Sequence, residues 1–303
     1  MSLDQMLLVP GIDESEAGGV VALLLDTYTG AAAAYSLRKL RTGSPNAIRV
    51  RRSSDSTEQD IGFVSGALDT ATLLTFCGAG DGFVTTWYDQ SGNGNNQTQT
   101  TAGSQPKIVS SGSYLGGISF DGTDDKFSGA ITGFKSFANL SSFFVSAPVA
   151  AAAADTASAG WFIFGNGSPT LYGLSSSTGS ISGEKIVFLG TTQASVARRL
   201  GSTTYSRSAN QTQVLSMLNL PTGTSLRSNG VSISLDLASL TTISSDCSPS
   251  SSSYTVDDIV YLNGAATFVY PAALWKEAIF YGSNQSSNRT GIESNINSHY
   301  SIY

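Results

Sequence analysis

The sequence predicts an all-β protein with a few short helices, one of them at the C-terminus. Charged residues make up only 13% of the 303 residues, whereas aromatic residues reach 10% and Gly, Ser and Thr are abundant. After residue 129, short apolar and β-branched runs alternate with Ser/Gly turns, a pattern typical of strands joined by short connections. These runs continue to the C-terminus, so the composition is not that of a disordered chain.

The strands of this second half are predicted from the same alternation of apolar runs and turns. Asn229 and Gly230 lie between two apolar residues, which is a strong signal for a hairpin turn. The predicted strands are residues 142–149, 161–164, 170–174, 185–189, 214–220, 225–233, 259–262 and 278–281. Residues 286–300 predict the terminal helix, with Ser287 or Asn288 as its cap.

Three elements are predicted in the N-terminal part. Residues 31–40 carry a helical apolar pattern with basic residues near the end. Residues 47–52 alternate apolar and basic side chains, which predicts a strand with Ile48 and Val50 facing inward. Residues 69–77 predict a short helix with Asp69 as its N-cap.

The charge of the chain disfavours nucleic acid as a partner. The formal net charge is −6 at pH 7, opposite in sign to what a phosphate backbone requires. We expect the basic residues of the N-terminal part to pair with Asp55, Glu58 and Asp60 on a solvated face. These basic residues are Arg38, Lys39, Arg41, Arg49, Arg51 and Arg52.

The number of cysteines and the hydropathy of the chain limit which metal sites, disulfides and membrane segments can be predicted. The two cysteines, Cys77 and Cys247, form no Cys-x-x-Cys motif, so neither a zinc site nor a disulfide framework is predicted. Two separated buried thiols are favoured, and a bond between them stays open. The apolar run at residues 20–25 is too short to span a membrane. We predict no cofactor and no membrane insertion.

Residues 83–99 are the stretch on which the prediction of the fold family depends most. Its first half is apolar and β-branched, as in a buried strand, and it breaks at Asp89 into a loop of Gly and Asn. The run at residues 88–95, Tyr-Asp-Gln-Ser-Gly-Asn-Gly-Asn, resembles a signature of the arabinofuranosidase B catalytic domain (glycoside hydrolase family 54). Residues 31–98 as a whole are similar to the N-terminal portion of that domain.

A second run supports the same architecture. Residues 120–125, Phe-Asp-Gly-Thr-Asp-Asp, resemble an early strand and turn of laminin-G or concanavalin-type jelly rolls. The combined resemblance implies a concanavalin-like jelly-roll β-sandwich over residues 20–303. Residues 1–19, polar and acidic, are predicted to be a leader that docks the protein to a partner. The family's second cysteine near Cys77 is missing here, so a local disulfide is not expected.

Asp121, Asp124 and Asp125 in this run are closely spaced oxygen donors. Such a set could ligate calcium. A β-turn capped by an aspartate side chain explains the same spacing, and we favour that interpretation. No metal site is therefore predicted.

The loop after residue 87 supplies the candidate binding residues. Amide and carboxylate hydrogen bonds together with a flat aromatic face are what sugar binding uses. The candidates are Trp87, Tyr88, Asp89, Asn93 and Asn95. The structural alternative places one of the two aromatic rings in the core and uses Asp89 to cap the turn at residues 91–94.

Catalysis is not predicted, because a glycosidase needs two carboxylic acids and none here matches a family motif. Residues 261–266, Tyr-Leu-Asn-Gly-Ala-Ala, carry no acid where the family's Gly-Gly-Asp loop would be sought. Glu277, with Asp257 or Asp258 as partner, is the remaining candidate pair. The other acids of the second half of the chain are Asp155, Glu184, Asp236, Asp246 and Glu293.

The block at residues 31–98 is also similar to blocks carried by many phage proteins. The resemblance therefore implies a non-catalytic virion surface protein (tail, fibre or head decoration) that attaches to host or environmental glycans. Its expected partners are other virion proteins, through residues 1–19, and further copies of itself. A glycoside hydrolase of arabinofuranosidase type and a purely architectural virion subunit are the alternatives.

Overall fold

The computed structural model describes residues 22–121, 123–129, 131, 139–148, 159–164, 172–176, 186–191, 197–202, 211–220, 223–233, 258–259 and 272–303. The strands of the first half are β1 (Ala33–Ser36), β2 (Asn46–Arg52), β3 (Glu58–Val64), β4 (Ala67–Leu68), β5 (Gly82–Trp87), β6 (Gln97–Thr98), β7 (Lys107–Ser110), β8 (Ser113–Asp121) and β9 (Phe127–Ser128). The later strands are β10 (Ser141–Pro148), β11 (Ala159–Phe164), β12 (Tyr172–Ser176), β13 (Ile186–Thr191), β14 (Ala197–Ser202), β15 (Gln213–Leu220), β16 (Gly223–Ser228), β17 (Val231–Ile233), β18 (Asp258–Ile259) and β19 (Ala272–Tyr281). The α-helices are α1 (Leu24–Thr27), α2 (Thr70–Cys77) and α3 (Arg289–Tyr300).

The strands form two antiparallel sheets. The larger sheet has the order β17-β16-β15-β10-β19-β8-β7-β5-β2-β3-β4, and the smaller one the order β11-β12-β13-β14. Strand β19 lies at the centre of the larger sheet and pairs with β10 along one edge. Its other edge pairs first with β8 and then, from Glu277 to Phe280, with β1. The N-terminal and C-terminal parts of the chain therefore share one sheet.

Both faces of β19 are buried, which explains its nearly continuous apolar sequence. Trp275, Ala278 and Phe280 belong to the main core, together with side chains of β1, β2, β5 and β10. Ile279 and Tyr281 face the opposite way, into a second cluster that the helices cover. That cluster also contains Leu24, Leu25, Phe143, Val145, Val214, Ile292 and Ile296.

The predicted all-β fold class with short helices is confirmed, and so are its best-signalled elements. Ile48 and Val50 of β2 are fully buried. Asp69 caps α2 by accepting a hydrogen bond from the Thr72 backbone N–H at 2.9 Å. Asn229 and Gly230, both with positive φ, join β16 to β17. Helix α3 begins after Asn288, which forms no side-chain cap hydrogen bond.

The predicted helix over residues 31–40 is wrong. This segment contains β1 and runs extended, with Ala34 opposite Ile279 and Tyr35 opposite Ala278 in the β19 ladder. All four residues of β1 are buried. Alanine favours helices in isolation, but here its small side chain lets a strand lie between two buried surfaces, so tertiary pairing overrides local propensity.

Several predictions lie wholly or partly outside the described residues: the leader at 1–19, the loop at 261–266, and Cys247. Cys77 is a free, buried thiol. Strands β3 and β14 were not predicted. Among the helices that the structure describes, none has the length and apolar composition needed to cross a membrane.

Candidate functional site

The loop that follows β5 is built around glycines and one carboxylate. Gly92 and Gly94 have φ values of +92° and +77°, a region that side chains rarely adopt. A Cβ atom at Gly92 would also collide with the Arg41 guanidinium, which instead donates to the Ser91 carbonyl at 3.0 Å. The turn therefore requires glycine for its backbone conformation, and a side chain at residue 92 would also displace the Arg41 guanidinium.

The Asp89 carboxylate is fully engaged within the protein. Its Oδ1 accepts hydrogen bonds from the backbone N–H groups of Ala34 and Ser91, both at 2.9 Å. Its Oδ2 accepts from the Ser91 hydroxyl at 2.7 Å and from the Asn95 N–H at 3.0 Å. Four donors satisfy a carboxylate's acceptor capacity, so Asp89 ties the loop to β1.

The amides of the same loop hold the 31–40 segment in its extended form. Gln90 accepts from the Leu40 N–H at 2.8 Å and donates to the carbonyls of Ser36 and Arg38. The Asn93 and Asn95 side chains donate to backbone carbonyls at residues 31 and 32. These side chains replace backbone partners that a ladder would supply, which is how the loop fixes the sheet end.

The two aromatic residues of the run face in different directions. Trp87 is 0% exposed and packs between Tyr35 and Phe127, with ring centroids 5.7 and 6.2 Å away. Tyr88 is partly exposed and donates to Asp60 Oδ1 at 2.7 Å. Trp87 is thus a core residue without a surface for a sugar, and Tyr88 is the aromatic member that reaches solvent.

Two of the basic residues expected to pair on a solvated face, Arg49 and Arg52, do so, whereas the expectation is wrong for Arg38, which is buried and paired with Glu277 because β1 lies beside β19. Arg49 forms ion pairs with Glu58 at 2.7 Å and Asp60 at 3.1 Å, and Arg52 pairs with Asp55 at 2.6 Å. The Arg49 pairs lie beside the Tyr88 hydroxyl. These ion pairs make the face beside Tyr88 solvent-exposed, with positive and negative charges next to each other.

Glu277 does not point into a cleft, in contrast to the pair considered from the sequence. It is 0% exposed and bound in a bidentate manner by Arg38, with Nε–Oε2 at 2.7 Å and Nη2–Oε1 at 3.0 Å. The Ser36 hydroxyl donates to Oε2 at 2.7 Å, and the Tyr300 hydroxyl lies 3.3 Å from the same oxygen. The physical reason is that β1 lies beside β19, which places Ser36 opposite Glu277.

Glu293 of α3 is also used structurally. It is 2% exposed, accepts a short hydrogen bond from the Ser216 hydroxyl, and pairs with Arg289 and Arg227, each at 3.2 Å. Burial lowers the pKa of Arg289 to about 10, although Glu293 partly offsets the effect. This pair fixes α3 on β15.

The aspartates at 121, 124 and 125 come together at the end of β8. Their carboxylate oxygens lie within 4.8 Å of one another. Asp121 Oδ1 accepts from the backbone N–H groups of Thr123 at 2.7 Å and Asp124 at 3.3 Å, while Asp125 Oδ2 accepts from the Asp121 N–H at 2.9 Å. These are the hydrogen bonds of the capped turn that the sequence favoured.

Asp125 should make stability depend on pH. It is 7% exposed, and burial raises the pKa of its carboxyl to about 6. Because the folded state favours the protonated form, stability is lost as the pH rises from about 4 to about 6. We expect Asp125→Asn to match the wild type near pH 4 and to be more stable at pH 7.5, by at most about 3 kcal/mol.

Thermal unfolding of both proteins across this range measures the effect. A difference that does not change with pH would contradict the expectation. A rise of the wild-type midpoint in calcium chloride would instead assign the cluster to a cation.

Sequence reasoning missed several residues that organise this region. Gln90 stands inside the quoted run between Asp89 and Ser91, and this polar surrounding gives no local signal for a buried amide. The Arg38–Glu277 pair joins residues 239 positions apart, so no local pattern indicates it. The Asn95 side chain binds the Ala32 carbonyl, a contact that depends on the extended course of residues 31–40 and not on the helix predicted there.

Fold and site together define an antiparallel β-sandwich with an amide-rich loop at one sheet end. The family model described as "Alpha-L-arabinofuranosidase B, catalytic" matches residues 25–117, which include this loop. The predicted similarity to a glycoside hydrolase family 54 sandwich is thereby confirmed at the level of fold.

Solved structures show the same similarity over more of the chain. A GH54 α-L-arabinofuranosidase soaked with a cyclic sulfate inhibitor has a TM-score of 0.55 at 17% identity. An arabinofuranosidase complexed with arabinofuranosyl-α-1,2-xylobiose has a TM-score of 0.55 at 18% identity. Each match covers 90% of this chain, which in turn spans 64% of the matched structure. No curated protein matches the chain.

Proposed function

We propose that the protein is a glycoside hydrolase of arabinofuranosidase type. The observation that carries this proposal is the match of residues 25–117 to the arabinofuranosidase B catalytic family model, within a sandwich similar to two arabinofuranosidases over 90% of the chain. The substrate class that we propose is taken from those neighbours: α-L-arabinofuranosides.

The reaction requires two carboxylic acids flanking the glycosidic bond, about 5 Å apart in a retaining enzyme. Glu277 and Glu293 are buried in ion pairs and do not meet this requirement. The two roles would then fall to other acids of the second half, whose side chains lie outside the described part of the structure. These are Asp155, Glu184, Asp236, Asp246, Asp257 and Asp258.

Release of 4-nitrophenol from 4-nitrophenyl α-L-arabinofuranoside tests the proposal. The wild type should turn over, and amide substitution of two of those six acids should each lower kcat by at least about a hundredfold. The remaining four variants serve as matched controls and should keep the wild-type rate.

A folded wild-type protein that releases no nitrophenol would overturn the enzymatic proposal. Loss of turnover in Glu277→Gln without loss of stability would contradict the assignment of Glu277 to the core.

A second candidate is a non-catalytic glycan-binding protein on the surface of a phage particle. The observation that favours it is that both glutamates of the second half whose side chains are described, Glu277 and Glu293, serve structural ion pairs. The virion setting rests only on the resemblance of residues 31–98 to blocks of phage proteins, and residues 1–19 would be its docking segment. Tyr88, Asp89, Asn93 and Asn95 would then shape the glycan-binding end of the sheet.

A glycan array separates the two candidates when it is read beside the hydrolysis assay. Binding of arabinose-containing glycans without turnover supports the non-catalytic protein. Neither binding nor turnover, in a protein that co-purifies with assembled particles, supports an architectural subunit.

A further inference from the structure

A cavity of about 360 Å³ lies away from the Asp89 loop, between β8, β19 and α3. The side chains that matter in its lining are Leu37, Leu68, Tyr114, Lys276, His299 and Tyr300. Its volume falls in the lower part of the range of small-molecule sites, and its lining combines apolar and aromatic side chains with an ammonium, an imidazole and a hydroxyl group.

Lys276 is the charged group of this cavity. It is half-buried in β19, and its Nζ lies 5.8 Å from the centroid of the Tyr300 ring. No carboxylate among the described residues forms an ion pair with it. The neighbouring Glu277 is bound by Arg38. Burial lowers the pKa of Lys276, because it disfavours the charged form of the ammonium group.

Two tyrosines provide the walls. The Tyr300 hydroxyl lies 3.3 Å from Glu277 Oε2, so the buried ion pair fixes the ring that lines the cavity. Tyr114 stands on β8, and burial raises the pKa of its hydroxyl to about 12, which keeps it a neutral donor. His299 packs edge-on against Tyr300 at 4.7 Å, and burial lowers its pKa, so it is neutral at pH 7.

We propose that this cavity binds the carboxylate-bearing ring of a hexuronic acid, with Lys276 as its counter-ion and Tyr114 and Tyr300 as its aromatic walls. One ammonium group beside a neutral imidazole matches the single charge of a carboxylate. A phosphate group is recognised best by several donors, typically arginine forks, which are not present here. Tyrosine presents an apolar face with a polar edge, which suits the amphipathic surface of a sugar ring.

The inference extends the proposed function by naming an acidic sugar in the recognised glycan. It rests on that function only in taking the ligand to be a glycan. Direct binding of a free monosaccharide measures it without hydrolysis, so failure of either proposal is separately visible.

Titration calorimetry or NMR titration of the full chain with D-galacturonate tests the inference, with D-galactose and inorganic phosphate as comparison ligands. We expect saturable binding of galacturonate and none of galactose at the same concentrations. Lys276→Met keeps the length of the side chain and removes its charge, so it should weaken binding by about tenfold or more.

Two further variants separate binding in this cavity from binding elsewhere on the protein. Ala67→Phe fills the exposed mouth of the cavity and should abolish binding without touching Lys276. Lys126→Met changes a lysine that does not line the cavity and should bind like the wild type. Equal binding of galactose and galacturonate, preferential binding of phosphate, no binding of any of the three, or an unchanged affinity in Lys276→Met would each overturn the proposal.

Discussion

Glu277→Gln is expected to lower the free energy of unfolding by about 3–5 kcal/mol, because it breaks one half of a buried ion pair and leaves the other charged. Arg38 is almost completely buried and directs two nitrogens at the Glu277 carboxylate. A neutral amide at position 277 cannot balance that charge, and its NH₂ group would face a donor. Urea unfolding followed by tryptophan fluorescence measures the loss.

The matched control is Glu58→Gln, which breaks the Arg49 ion pair at the surface. Glu58 is 37% exposed at its side chain, so solvent screens the pair and the expected loss is below about 1 kcal/mol. A double variant, Arg38→Met with Glu277→Leu, should lose less than the sum of the two single changes, because no charge is left buried. Equal stability of Glu277→Gln and the wild type would contradict the structural role.

Short sequence patterns predicted those elements whose caps, alternation or turn residues lie within the element itself. The helix α2 carries its own N-cap in Asp69, and β2 alternates apolar and basic residues from Ile48 to Arg51. The hairpin turn is signalled by Asn229 and Gly230 themselves, which both take the positive φ values that such a turn requires. In each case the sequence contains both the element and the reason for its boundaries.

The 31–40 segment shows that local sequence patterns fail where the partners of a segment are distant in the sequence. Its alanines fit a helix, but its backbone partners come from β19, more than 240 residues later, and from the amides of the 88–95 run. The same distance separates Arg38 from Glu277. Contacts of this kind arise from the topology of the sheet, which a single sequence does not display, and they decide whether an acid is catalytic or structural.

The polar residues of the candidate binding run form hydrogen bonds within the protein, as the structural alternative predicts for Asp89. Trp87 shows what the alternation of buried and exposed residues in a strand leaves undecided. Alternation predicts that one of two adjacent aromatic residues is buried, and the structure selects Trp87 for the core and Tyr88 for the surface.

Asp89→Asn is expected to lower the free energy of unfolding by about 3 kcal/mol, because hydrogen bonds to a charged acceptor are lost and buried donors are left unpaired. The amide oxygen can still accept from Ala34 and Ser91, as Oδ1 does now. The NH₂ group that replaces Oδ2 would face the Ser91 hydroxyl and the Asn95 N–H, which currently donate to it. Unfolding in urea measures the total loss, and hydrogen exchange of the Ala34 and Asn95 amides locates it.

The control is Asp26→Asn, an exposed aspartate that accepts from the Thr42 backbone and hydroxyl. The same chemical change there should cost less than about 1 kcal/mol, because solvent can replace the lost partner. The two roles considered for Asp89 separate in this comparison. A ligand-binding aspartate would lose affinity for an arabinoside at unchanged stability. A structural one loses stability first and releases the Ala34 amide to exchange, and that is the outcome that its four internal hydrogen bonds require.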